Sequence, residues 1–194
     1  NRRKIPVVLD PVAVGGTQLR RDAAKRLLEE VHFTAIRGNA SEIRYLAGQQ
    51  TTGAGVDVSD LDAITEENLS EAQEMIKNLA KSLGTVIAVS GVIDLVSDGE
   101  RTMVLRNGCA TMSRITGSGC MLTSMIGAFV GAAAEDPFTA TCAAMAAMGI
   151  AGEIAEKKRI KNGTGNATFR TDLIDAVFNL TEEELTKGAR YEIF

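Results

Sequence analysis

Residues 116–120, Thr-Gly-Ser-Gly-Cys, have the composition of an anion-binding turn, and an apolar run over residues 121–134 follows them. Small residues here lead from a short strand into a helix and leave several backbone N–H groups unpaired at the helix N-terminus. Those donors and the helix dipole favour an anion such as phosphate. The same field favours the thiolate form of Cys120 in the first turn, so the pattern indicates a phosphoryl-transfer site. A close-packed turn with a buried cysteine is the simpler alternative.

Three other polar clusters follow short apolar runs that predict buried strands. Asp10 follows the run 5–9, the cluster 37–42 follows the run 33–36, and Ser90 follows the run 85–89. In open α/β sheets, ligands bind beyond the carboxyl ends of the strands. We therefore expect these clusters and the glycine turn to meet at one edge of a sheet.

The residue types in these clusters suit the binding of a nucleotide and a metal ion. Asp10 and Glu42 are candidate ligands of Mg²⁺, which prefers carboxylate and water oxygens. Arg37 offers a bidentate fork for phosphate, and Ser90 offers a hydroxyl to a nucleotide. Each has an ordinary alternative: a turn before proline for Asp10, a surface ion pair for Arg37, helix capping by Asn39 and Glu42, and a strand-end turn for Ser90.

Strand-length runs alternate with helix-length segments along the whole chain. The predicted helices cover residues 17–31, 39–46, 66–83, 121–134, 138–158 and 168–180 (capped by Thr168), and a short charged helix follows Thr181. The predicted strands cover residues 5–9, 33–36, 85–89, 92–97, 101–105 and 111–115. Residues 49–65 are predicted to form an irregular loop. This order predicts an α/β fold with a mostly parallel central sheet, helices on both faces and an antiparallel hairpin. No domain boundary interrupts residues 1–194.

Composition narrows the classes of partner and compartment. The chain has 194 residues, 45% of them hydrophobic, and a formal net charge of −4 without a basic stripe, which argues against a nucleic-acid partner. The uncharged stretch 115–134 is diluted by Gly, Ser and Thr, so we expect a buried helix rather than a membrane span. Three cysteines without close spacing indicate a reducing cytoplasm. We assign no role to His32, and expect Cys109 and Cys142 to be small core residues.

The clusters together resemble the hydroxyethylthiazole kinase family of the ribokinase-like superfamily. The matching stretches are Asp10-Pro11-Val12, IRGNASE at 36–42, VSG at 89–91 and ITGSGC at 115–120. The superfamily's Asn-x-x-Glu motif corresponds to residues 39–42, and its Gly-x-Gly-Asp anion-hole motif appears with Cys120 in the last place. That cysteine is typical of thiazole kinases. Hydroxymethylpyrimidine kinases, pyridoxal kinases and the ribokinase-like NAD(P)H-hydrate dehydratase are expected to carry Asp there.

The resemblance implies a ribokinase-like fold and an activity. The family phosphorylates the primary hydroxyl of 4-methyl-5-(2-hydroxyethyl)thiazole with ATP and Mg²⁺ in thiamine salvage. The implied site residues are Cys120 as catalytic base; Arg37, Ser90, Gly117, Ser118 and Gly119 in ATP binding; Gly117 also beside the thiazole; and Asp10 and Glu42 at the magnesium ion. The implied partners are therefore ATP and a small thiazole alcohol. The family more often has Thr where Ser90 stands, which keeps the hydroxyl.

One departure from the family concerns the N-terminal side. Thiazole kinases carry a segment before the Asp-Pro strand, with further strands and most of the thiazole pocket, whereas this sequence starts at that strand. We therefore expect residues 1–194 to form one ribokinase-like domain that is incomplete at its N-terminus. The family's homotrimer, with active sites between subunits, is expected if that segment is present. A non-catalytic nucleotide-binding module is the alternative from another class.

Overall fold

A six-stranded mixed sheet runs through residues 2–49 and 63–194, the parts of the chain that the computed structural model describes. Its strands are β1 (Val8–Leu9), β2 (Ala35–Asn39), β3 (Val86–Ser90), β4 (Asp94–Ser97), β5 (Thr102–Leu105) and β6 (Tyr191–Ile193), side by side in that order. The first three strands are parallel, and β4, β5 and β6 extend the sheet in antiparallel pairings. The carboxyl ends of β1, β2 and β3 therefore lie at one edge of the sheet, where Asn39 is in register with Ser90.

Seven α-helices accompany this sheet in the described residues. They are α1 (Gln18–Glu30), α2 (Ala40–Leu46), α3 (Leu69–Leu83), α4 (Ser118–Ala132), α5 (Pro137–Asn162), α6 (Asn166–Asn179) and α7 (Glu182–Gly188). Local chemistry explains several of their ends. Thr17 caps α1 by accepting the Arg20 N–H, and α5 begins with Pro137 and ends at Gly163, whose φ is +63°.

Both faces of the sheet are apolar because side chains alternate along continuous Val, Ile, Leu and Ala runs. On one face, the fully buried Ala88, Val96 and Leu105 pack against α4, α5 and α6. On the other face, the fully buried Ile87 and Leu95 pack against α2 and α3. The predicted arrangement of helices on both faces is confirmed.

The 26-residue helix α5 lies largely inside the protein. Among the described residues it alone is long and apolar enough by length and composition to cross a membrane, yet 78% of its apolar window is buried within the fold. Its glycines permit close packing, since a Cβ at Gly149 would lie only 2.7 Å from the Asn107 Cβ. The apolar run that follows the glycine turn forms the shorter helix α4, as the sequence predicts.

Three local predictions differ from the structure. The segment before the glycine turn is a 3₁₀ helix, Ala110–Arg114, rather than a strand, because β6 occupies the sheet position beside β5. Strand β6 has no counterpart in the prediction. Helix α6 begins at Asn166 after Gly165, so Thr168 lies inside it instead of capping it. Most of the predicted irregular loop 49–65 lies outside the described residues.

Candidate active site

Arg37 joins the three parallel strands at the edge predicted for ligand binding. Its Nη1 atom lies 3.3 Å from Asp10 Oδ2 at the end of β1, and its Nη2 atom donates to Ser90 Oγ at the end of β3. The first turn of α4 lies close to the same guanidinium: a Cβ at Gly119, which glycine lacks, would lie 2.8 Å from Arg37 Nη1. The structure therefore brings together Asp10, Arg37, Ser90 and Gly119.

The Arg37 guanidinium is buried with incomplete pairing. Only 8% of the residue is exposed, and its Nε atom is buried without a hydrogen-bond partner among residues 2–49 and 63–194. A buried cation is costly unless anions and acceptors surround it. Asp10, its ion-pair partner among the described residues, is also mostly buried, with 15% of its side chain exposed. The arrangement fits an additional anion beside Arg37.

Glu42 and Asn39 form a capping box at the start of α2. The Asn39 side chain accepts the Glu42 N–H at 2.9 Å, while Glu42 Oε2 accepts the Asn39 N–H at 2.7 Å. Glu42 Oε1 accepts the N–H of Ala13, whose left-handed φ of +51° this bond holds. Burial raises the pKa of Glu42, and the two N–H donors oppose that rise. The capping alternative is therefore realised, and Glu42 fixes the turn after Asp10.

The carboxylates at this edge suit a cation that arrives with its ligand. Within the described residues no three His, Cys, Asp or Glu side chains converge as a ready-made metal site. Asp10 and Glu42 are nonetheless close enough to interact electrostatically. The Oδ1 atom of Asp10 makes no hydrogen bond to the described residues, whereas both oxygens of Glu42 are engaged. Mg²⁺ binds through one or two carboxylates, waters and substrate phosphates, so direct contact through Asp10 and water-mediated contact through Glu42 fit it.

The glycine turn leaves backbone donors at the start of α4. Gly117 has a φ of +94°, which only glycine adopts readily, and a Cβ there would meet nothing within 4 Å. The first helical bond runs from Met121 N to Gly117 O at 2.9 Å. The N–H groups of residues 118–120 precede that bond and have no partner in the helix, as an anion cradle requires.

The three cysteines occupy different environments. The Cys120 side chain is exposed in the first turn of α4, which excludes the alternative that it is a buried packing residue. Cys142 is buried in α5, and burial raises the pKa of its thiol to about 12. Cys109 is half-buried, and burial also raises its pKa. Cys120 is therefore the exposed thiol of the three and the one beside the cradle.

Two further polar residues that the sequence did not point to lie at this edge. Asp94, at the start of β4, is buried and accepts the Gly91 N–H at 2.8 Å. Burial raises the pKa of Asp94 to about 7, although Gly91 and the charge of Arg37 oppose the rise. Thr123 donates its hydroxyl to Asp10 Oδ2 at 2.7 Å from the second turn of α4. The available signals were a lone carboxylate inside an apolar run and a hydroxyl four residues after Gly119.

The comparisons with known proteins agree on one family. The model of the hydroxyethylthiazole kinase family matches residues 1–183. A hydroxyethylthiazole kinase of Clostridium acetobutylicum is 45% identical over 194 residues, which is 100% of this chain and 71% of that protein. One of Clostridium beijerinckii is 46% identical over 187 residues, 96% of this chain and 66% of that protein. The chain thus spans about two thirds of the length of these relatives.

Solved structures support the same relationship. A hydroxyethylthiazole kinase of Pyrococcus horikoshii matches with a TM-score of 0.78 and 31% identity, covering 97% of this chain and 65% of that one. A pyridoxal kinase of Staphylococcus aureus in complex with AMP-PCP matches with a TM-score of 0.51 and 19% identity, covering 77% of this chain and 53% of that one. The second likeness shows the fold alone.

Proposed function

The chain belongs to the hydroxyethylthiazole kinase family, and we propose that the protein transfers the γ-phosphoryl group of ATP to the primary hydroxyl of 4-methyl-5-(2-hydroxyethyl)thiazole. The single observation that carries the proposal is the close approach of the buried Arg37 guanidinium to Gly119 at the start of α4, where a side chain on residue 119 would collide with it. It places a fixed positive charge against a row of unpaired backbone donors, with the exposed Cys120 thiol in the same turn.

Phosphoryl transfer needs mainly positioning and neutralisation of charge. We assign the N–H groups of Ser118, Gly119 and Cys120 to the oxygens of the transferred phosphoryl group, and the guanidinium of Arg37 to the same phosphate chain. Ser90 Oγ accepts a hydrogen bond from Arg37 Nη2 and thereby orients the guanidinium. Gly117 leaves open space beside the cradle, which suits an incoming alcohol.

Cys120 acts as the general base in this proposal. The alcohol oxygen attacks the γ-phosphorus, the bond from that phosphorus to the bridging oxygen breaks, and ADP leaves with the electron pair. The hydroxyl proton passes to the sulfur of the Cys120 thiolate, which becomes a thiol. Because the transition state is loose, a modest base suffices once the phosphates are held.

Asp10 and Glu42 are the residues that would hold Mg²⁺. The ion would neutralise charge on the phosphates and orient them. Asp10 offers its Oδ1 atom, while Glu42 adds negative charge from a carboxylate that also fixes Ala13 and Asn39. A cation here would also offset the electrostatic repulsion between the two neighbouring carboxylates.

We further propose a single ribokinase-like domain for residues 1–194 that works with additional N-terminal residues in a cytoplasmic homotrimer. The relatives are longer than this chain, and their extra length is assigned to the thiazole pocket and to subunit contacts. This assignment makes the extended protein the right sample for assays of turnover.

A coupled ADP-release assay tests the function. It uses ATP and Mg²⁺ with hydroxyethylthiazole, hydroxymethylpyrimidine or pyridoxal as acceptor. The samples are this chain and a version extended at its N-terminus by the residues that precede the aligned region in the Clostridium acetobutylicum relative. Turnover restricted to hydroxyethylthiazole supports the proposal. ATP binding without turnover of any acceptor would instead favour a non-catalytic nucleotide-binding module. Faster turnover of pyridoxal than of hydroxyethylthiazole would change the assigned substrate to pyridoxal.

A further inference from the structure

Thr123 makes a contact that its position in a helix does not require. Its Oγ1 atom lies 2.7 Å from Asp10 Oδ2, which is 113 residues away in the chain, and 3.2 Å from the Gly119 carbonyl oxygen one turn earlier. The residue is half-buried on the side of α4 that faces Asp10 at the end of β1. This contact ties the second turn of α4 to the carboxylate that Arg37 also binds.

Ordinary helical back-bonding does not account for this geometry. Threonine and serine hydroxyls in helices often donate to the carbonyl four residues earlier. Ser124 does so at 2.8 Å and Thr141 at 2.7 Å, and neither hydroxyl has a carboxylate partner in the described part of the chain. Thr123 has one hydroxyl proton, and its oxygen is closer to Asp10 than to its own backbone acceptor. The proton therefore goes to the carboxylate, where a charge strengthens the bond.

We propose that Thr123 is a positioning residue that fixes Asp10 with its Oδ1 atom directed to the phosphate-bound cation. The Oδ2 atom receives both the Thr123 hydroxyl and Arg37 Nη1, whereas Oδ1 has no hydrogen-bond partner in the described part of the chain. One oxygen is thus anchored and the other is available. The cation-directed role rests on the proposed function, while the anchoring contact itself does not.

Arg37 alone cannot hold Asp10 in place during turnover. Its distance to Asp10 is 3.3 Å, and it also donates to Ser90. In the proposed function it binds the phosphates as well. Once Arg37 turns towards a phosphate, its bond to Asp10 weakens. Thr123, which contacts no phosphate in this scheme, keeps the carboxylate in its orientation. The helix that supplies the anion cradle therefore also sets the metal-facing carboxylate.

The first test measures Mn²⁺ binding by electron paramagnetic resonance, in the presence of a non-hydrolysable ATP analogue. Thr123→Val removes the donor and Thr123→Ser keeps it. Thr171→Val is a matched control, because among the described residues the Thr171 hydroxyl donates only to the Ala167 carbonyl in α6. We expect Thr123→Val to weaken Mn²⁺ binding about tenfold, as for loss of a hydrogen bond to a charged group. Thr123→Ser should remain within about threefold of wild type, and Thr171→Val unchanged.

Equal Mn²⁺ affinity in Thr123→Val and wild type would overturn the inference while leaving the kinase proposal intact. Weakening by Thr123→Ser as large as that by Thr123→Val would also overturn it, because packing rather than the hydroxyl would then be responsible. Absence of Mn²⁺–nucleotide binding in wild type would contradict the proposed function and with it the cation-directed role.

A second test isolates the contact without any ligand. Urea unfolding of Asp10→Ala, Thr123→Val and the double variant forms a double-mutant cycle. We expect the unfolding equilibrium constant of the double variant to differ by about fivefold or more from the value that the two single variants predict, because the hydrogen bond has a charged acceptor. Additive effects would overturn the anchoring contact whatever the protein binds.

Discussion

Gly119 determines how closely the Arg37 guanidinium approaches α4. A Cβ at this position would lie 2.8 Å from Nη1 and 3.2 Å from Nη2, so the arginine would have to move. We expect Gly119→Ala to weaken ATP binding about tenfold, measured by calorimetry, because one charged hydrogen-bonding group is displaced.

Gly127 supplies the matched control for that substitution. It lies in the same helix, and a Cβ there would meet nothing within 4 Å. Gly127→Ala should stabilise the protein by up to about 1 kcal/mol through helix propensity and leave ATP affinity unchanged. Equal ATP affinities in the two variants would show that Arg37 does not contribute to nucleotide binding.

Asp94 makes stability depend on pH. Burial raises its pKa from 3.8 to about 7 in the folded state. A carboxyl whose folded pKa is raised favours folding while it is protonated, so this contribution is complete below about pH 4. It is lost as pH rises to about 7, by roughly 4 kcal/mol at most.

Asp94→Asn removes that titration and keeps an acceptor for the Gly91 N–H. Urea unfolding at pH 4, 5, 6 and 7 should therefore show the variant gaining stability relative to wild type as pH increases. A constant difference between the two proteins across this range would contradict the raised pKa of Asp94.

At the scale of elements, the short strand β6 depends on side-chain anchors. Asn107 accepts the Arg190 N–H at 2.7 Å and donates to Gly188 O at 2.9 Å and to Glu153 Oε1 at 3.1 Å. It therefore fastens the chain between α7 and β6 to the end of β5 and to α5.

Asn107→Ala should destabilise the protein by about 2–4 kcal/mol, because it removes three partly buried hydrogen bonds, one of them to a charged carboxylate. Asn78→Ala is the control, since Asn78 is exposed in α3 and, within residues 2–49 and 63–194, donates only to Glu74 at 3.2 Å. Its effect should stay below about 0.5 kcal/mol. The free energy of unfolding from urea titration measures both. Similar losses in the two variants would contradict an anchoring role for Asn107.

The elements differ in how visible they are in the sequence. Buried strands β2 and β3 and the capping box of α2 follow from apolar runs and residue spacing, and the structure has them. Strand β6 could not be predicted, because three exposed residues pair with β5 far earlier in the chain. The 3₁₀ turn before α4 is likewise set by tertiary packing, as Met112 lies against Gly152.

For the whole molecule, the predicted family, fold class and enzyme class are confirmed by relatives that are 45% and 46% identical. The motif residues made this possible, above all Cys120 where related kinases are expected to carry Asp. The convergence of Asp10, Arg37 and Ser90 followed from the rule on strand ends. Asp94 was missed because its raised pKa depends on burial in the folded protein, and Thr123 because it contacts a residue 113 positions away. The catalytic and binding roles of the site residues remain predictions.

The most direct test of the kinase proposal is a comparison of wild type and Cys120→Ala in the N-terminally extended protein. Turnover of hydroxyethylthiazole with ATP and Mg²⁺ is measured beside the dissociation constant of ATP. We predict a loss of kcat of about 100-fold or more with ATP affinity within about threefold, because the cradle is made of backbone N–H groups. Unchanged kcat, or a collapse of ATP affinity, would contradict the assignment of Cys120 as the base.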